Sequence, residues 1–161
     1  MSRSILVGAL MACLAPAATL AESTCREDTV QLRGDWGQAQ FRVEVAASEA
    51  ERAQGLMNRE AMSRSAGMLF VFERTAPVSF WMENTLIPLD MIFVDETGRV
   101  SHIHHEAQPL DRTPVHSEGA VRYVLEINGG MARAMGISPG TELRHPSILQ
   151  DSAVWSCEGG T

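Results

Sequence analysis

Beyond its first 21 residues the chain carries its apolar residues in short runs, each closed by turn-forming residues. Residues 38–45 alternate, with Phe41, Val43 and Val45 on one side and Arg42 and Glu44 on the other. That is the period of a half-buried strand. Residues 29–33 are the expected partner, turning at Gly34-Asp35-Trp36-Gly37. Residues 68–72, 78–82 and 91–94 are three continuous apolar runs, expected as three further strands. Asp95-Glu96-Thr97-Gly98 is a hairpin turn, and residues 99–104 pair back from it. Residues 108–119 hold two Pro and several charges with no period, the pattern of a surface loop. Residues 121–127 form a strand, and 141–144 a last one after the Ser138-Pro139-Gly140 turn.

Two short helices interrupt this pattern. Ser48 and Glu51 make a capping box, and Gly55 ends the helix that they start. The second helix runs from about Gly130 to Met135, with Asn128 as its expected cap and Gly136 at its end. Many short strands and two small helices predict a mainly β fold, a β-sandwich or barrel.

The first residues have a different character. Arg3 precedes an apolar run from Ile5 to Leu14, followed by small residues up to Ala21. This is the order of a secretory signal peptide, cleaved after Ala21. The run is shorter than the roughly 18–20 residues that span a bilayer. Residues 22–161 then form one mature domain with no transmembrane segment, expected in the periplasm or secreted. Cys13 leaves with the leader, so Cys25 and Cys157 remain, one near each end. In an oxidising compartment such a pair is expected to be a disulfide.

The chain has a net charge of −7, and loss of Arg3 makes the mature domain −8. That excludes general electrostatic binding to nucleic acid. All 13 basic side chains are Arg, which excludes a Schiff-base lysine and a P-loop lysine. Residues 80–90, Phe-Trp-Met-Glu-Asn-Thr-Leu-Ile-Pro-Leu-Asp, mix large apolar and small polar side chains. Trp81, Met82, Asn84, Thr85 and Asp90 are candidate lining residues of a mostly apolar pocket. Glu126 lies inside an apolar strand and needs a partner, with Arg52 and Arg122 as the expected cations. His102, His104 and Glu106 would share one face of a strand, as three candidate metal ligands.

Four stretches resemble one known family, domain-of-unknown-function family 192. They are Glu51-Arg52-x-x-Gly55-Leu56-Met57-x-Arg59, the run 67–72, the segment from Phe80 to Phe93, and Val124-Leu125-Glu126-Ile127-Asn128-x-Gly130 with Gly136-Ile137-x-Pro139-Gly140. The resemblance covers about residues 41–146. It implies a jelly-roll-like barrel and no activity, because the family has none to carry over. It departs from the family pattern at Glu83, a position often basic there, and at His105-Glu106.

Three functions follow as expectations. The first is a small-ligand-binding or accessory domain of the cell envelope, with no cofactor, whose partner is a small molecule or envelope component. Its candidate groove residues are Trp81, Met82, Asn84, Thr85, Asp90 and Glu126. The second is an envelope glycan hydrolase with Asp90 and Glu126 as acid and base. The third is a metal-binding protein using His102, His104 and Glu106.

Overall fold

Alternation and turn chemistry build the first hairpin as expected. The structure, a computed structural model, describes residues 25–157, so the leader expected over residues 1–21 lies outside the described residues. Strand β1 (Thr29–Gly34) pairs antiparallel with β2 (Gly37–Ala46). Helix α1 (Glu49–Gln54) follows, capped by Ser48 and Glu51 in a reciprocal box. It forms part of a crossover that lets β3 (Ala66–Phe80) pair parallel to β2, since parallel neighbours need a long connection. The hairpin β4 (Leu89–Val94) and β5 (Val100–Ala107) comes next. Then come β6 (Val115–Asn128), α2 (Met131–Met135) and β7 (Glu142–Arg144).

The seven strands form one sheet in the order β5-β4-β6-β3-β2-β1-β7. It curls into a half-barrel, and its two edges meet at one end. There Val100 N–H donates to Thr141 O at 2.8 Å, Gly140 N–H to Val100 O at 2.8 Å and Leu143 N–H to Gly98 O at 2.7 Å. The mainly β architecture with two short helices agrees with the expectation.

The middle of the sheet is buried on both faces. Leu69, Ile92, Leu125 and Ile127 point into the concave core, which Ala132 of α2 helps to close. Met68, Phe70, Met91, Phe93 and Val124 point into a second core under Leu56, Met82 and Ile87. Every residue of β4 is buried, which is why it reads as a continuous apolar run. Gly67 sits where β3 meets β6, and a Cβ there would come within 2.5 Å of Glu126 O.

Two expected boundaries are corrected. The runs 68–72 and 78–80 belong to one strand, β3, and Trp81 and Met82 lie just past its end. Residues 115–119, expected in a loop, are the first part of β6. Irregularities explain both differences. The β3–β6 register shifts between Val71 and Ala76 and again between Pro77 and Ser79, and Glu118 has a φ of 56°. Bulges of this kind absorb Pro and charged residues that break a simple period. The Ser117 hydroxyl accepts from Val78 N–H at 3.1 Å, taking the place of a ladder partner.

The expected disulfide is present. Cys25 and Cys157 are bonded across a sequence separation of 132, with Cα atoms 5.3 Å apart. Closing so long a loop in the unfolded chain is worth about 4–5 kcal/mol in the chain-entropy model. The double variant Cys25→Ser, Cys157→Ser is expected to lose about 4 kcal/mol in urea unfolding, with the native circular dichroism spectrum retained at low temperature.

Candidate functional site

Position along the strands decides which candidates meet. Met91 stands opposite Glu126 and Asp90 opposite Ile127 in the β4–β6 ladder. Paired residues share a face and neighbours along a strand do not. Glu126 therefore points into the second core, between Met91 on β4 and Met68, its partner on β3. Asp90 points the other way, into the concave side.

Glu126 lies on the floor of a cavity of about 390 Å³ beneath α1. Phe70, Phe72, Phe80 and Trp81 form its apolar walls, and Thr85 adds a hydroxyl. The Phe70 and Phe80 rings meet edge to face at 5.0 Å. Trp81 stands at the lip, 53% exposed. Gly55 lets the end of α1 descend onto this wall: its φ is 46°, and a Cβ there would lie 3.3 Å from the Phe70 ring.

The Glu126 residue is 4% exposed. Its carboxyl has no hydrogen-bond donor and no ion-pair partner among the described residues. Burial alone pushes its pKa up to about 8 from an ordinary 4.5, so the group is mostly neutral at pH 7. The expected Arg partners are elsewhere. Arg52 donates to the carbonyls of Ala47 and Val71, the latter at 2.9 Å. Its guanidinium lies 5.2 Å from the Phe72 ring centre. Arg122 is four residues back along β6, roughly 13 Å at the strand rise.

Asp90 has a structural task. It is fully buried. Its Oδ1 accepts from Glu106 N–H at 2.8 Å and Gly130 N–H at 3.0 Å, and its Oδ2 from Ala132 N–H at 2.7 Å. It therefore caps α2 from another strand, and no side chain caps that helix locally. Asn128, the expected cap, instead donates from Nδ2 to Met62 O at 3.2 Å and Ser63 O at 3.0 Å.

Of the candidate groove residues, Trp81, Thr85 and Glu126 share the α1 cavity. Met82 packs in the second core. Asn84 is an exposed turn residue with a φ of 52°, whose carbonyl accepts from Asn58 N–H at 2.8 Å. The hydrolase reading is corrected here, because Asp90 and Glu126 lie on opposite faces of the sheet and share no cleft.

The proposed metal ligands also separate. Glu106 sits at a register shift with a φ of 53°, and its carboxylate pairs with Arg133 at 3.0 Å. His102 stacks on Phe93 and lies 3.3 Å from the Glu118 carboxylate. His104 borders a smaller cavity of about 250 Å³ with His102 and His116. Its pKa is lowered, first by burial and then by His102 and His105 beside it. Among the described residues no three His, Cys, Asp or Glu are grouped to hold a metal ion.

Reading residues 80–90 alone misses the α1 side of the cavity, formed by Arg52, Gly55, Leu56 and Met57. Their signal is the Glu51–Arg59 motif, which reads locally as a helix and its stop. The model of domain-of-unknown-function family 192, described as uncharacterized ACR, matches residues 30–145. The chain belongs to this family. A protein of unknown function from Novosphingobium aromaticivorans DSM 12444 is 40% identical, with a TM-score of 0.71 over 81% of this chain and 92% of its own. A candidate transcription regulator from Sinorhizobium meliloti 1021 is 38% identical, with a TM-score of 0.74 over 80% of this chain and 100% of its own. No curated protein matches the chain.

The two buried carboxyls give opposite expectations. A carboxyl whose pKa is raised by folding contributes stability fully below about pH 4.5, and that contribution is lost as pH rises towards about 8. Glu126 thus costs on the order of 3 kcal/mol at pH 7. Glu126→Gln is expected to raise the melting temperature at pH 7.5 and to leave it nearly unchanged at pH 4.5. Asp90→Ala strands three N–H donors and is expected to destabilise by about 3 kcal/mol or more, read by urea unfolding, with faster amide exchange in α2.

Proposed function

We propose that the mature chain works outside the cytoplasm, in the periplasm or after secretion. Its role is that of a binding or accessory domain of the cell envelope, taking a small ligand into the cavity beneath α1. The observation that carries this reading is Glu126, a buried carboxyl without a partner on the floor of an aromatic-walled cavity. An apolar cleft with one oriented polar group is how small-molecule sites are commonly built. Burying such a group without a partner costs stability, and a bound ligand removes that cost.

The reading is non-catalytic. Among the described residues, Glu49 is the one other carboxylate that borders the cavity, and it sits exposed on α1, so they assemble no buried acid and base pair there. The compartment is supported by the leader pattern of residues 1–21 and by the Cys25–Cys157 bond. The description of the Sinorhizobium relative as a candidate regulator does not carry over, because a net charge of −7 opposes binding to DNA.

Ala53 is exposed and borders the cavity, so Ala53→Trp fills the mouth without disturbing a core. In a thermal-shift screen of mature protein against small metabolites and envelope fragments, ligands that raise the melting temperature are expected to lose that effect in Ala53→Trp. Ligands that stabilise both proteins equally would place binding elsewhere. N-terminal sequencing of the periplasmic fraction is expected to begin at Glu22.

A further inference from the structure

We infer that the ligand of the α1 cavity is a neutral, largely apolar molecule that presents a carbonyl or amide group to the Glu126 carboxyl, an inference that rests on the binding reading above. Two chemistries compete for a carboxyl on an apolar floor. It ionises against a ligand cation, or it keeps its proton and offers a donor and an acceptor side by side.

The surroundings favour the second. Glu126 is flanked by Met68 and Met91 on its neighbouring strands, and neither can stabilise a charge. Among the described residues, the charged groups other than Glu126 that border the cavity are Glu49 and Arg52, both on α1; β3, β4 and the segment 80–85 contribute none. Arg52 is held in place by Ala47 O and Val71 O and by the Phe72 ring. It fixes a positive charge on the α1 border of the cavity, which opposes a cation there. The pKa of about 8 agrees with this geometry.

A protonated carboxyl and a primary amide or lactam form two parallel hydrogen bonds, one in each direction. Such bonds gain strength where water is excluded. The Phe70, Phe72 and Phe80 rings suit a flat apolar body attached to that group. Thr85 and Ser79 add hydroxyls to the same wall.

The test uses three probes of one shape on the mature protein: benzamide, benzylamine and toluene. Met57 borders the cavity, so its ¹³C-labelled methyl reports occupancy by NMR. Benzamide is expected to shift that signal and to bind at least tenfold tighter than toluene. Its affinity is expected to fall about tenfold between pH 6 and pH 9, as the carboxyl loses its proton. Glu126→Gln, which keeps a donor beside an acceptor, is expected to bind benzamide with no pH dependence. Glu126→Ala is expected to bind it no better than toluene. If Glu126→Ala fails to fold, the Glu126→Gln pH profile alone decides. Preference for benzylamine that strengthens with pH and vanishes in Glu126→Gln would overturn the inference in favour of a cation site. Equal binding of benzamide and toluene overturns it while the cavity remains a binding site. If no probe shifts Met57, the binding reading falls as well.

Discussion

Strand β6 has a packed core on each side over its second half, and this constraint organises the rest of the molecule. Tyr123, Leu125 and Ile127 enter the concave core, while Val124 enters the second core. With packed side chains on both sides, each residue is assigned to a core by its position alone. Glu126 falls on the second-core side at a point where β3 and β4 present only Met68 and Met91. Its carboxyl therefore lies among thioethers and aromatic rings. The perturbed pKa and the partnerless state both follow from that placement.

The same rule separates the two buried acids. Asp90 is one register step from Met91, and that step carries it through the sheet to the other core. There it meets the N-terminal N–H groups of α2 and a backbone N–H from β5. One carboxylate ties three elements together, and the other has no partner. Burial alone does not distinguish them; hydrogen-bond satisfaction does. Asp90 stabilises the fold, whereas Glu126 lowers stability in a way that a ligand can offset.

Much of the fold was legible along the chain. The β1–β2 hairpin, the capping box at Ser48, the glycines that end both helices and the hairpin turn at 95–98 depend on neighbours within a few residues. Local spacing therefore reveals them. The strand segments that were misread lie around Pro77 and Glu118. Bulges there shift the pairing, so a long strand reads as short pieces or as a loop. The candidate site was half legible. Trp81, Thr85 and Glu126 were visible as unusual residues, but Asp90 and Asn84 have equally unusual character and serve a cap and a turn.

By itself the sequence determined the strand-rich class, the two short helices, the family and the pairing of Cys25 with Cys157, because composition, local period and the count of cysteines carry that information. It also identified Glu126 as a carboxyl in need of an explanation. Only the tertiary structure decided which of the two acids faces a cavity, that neither Arg52 nor Arg122 reaches Glu126, and that α1 rather than the 80–90 segment alone walls the site. Those outcomes depend on register across strands β3, β4 and β6, and register is set by packing between segments far apart in the chain.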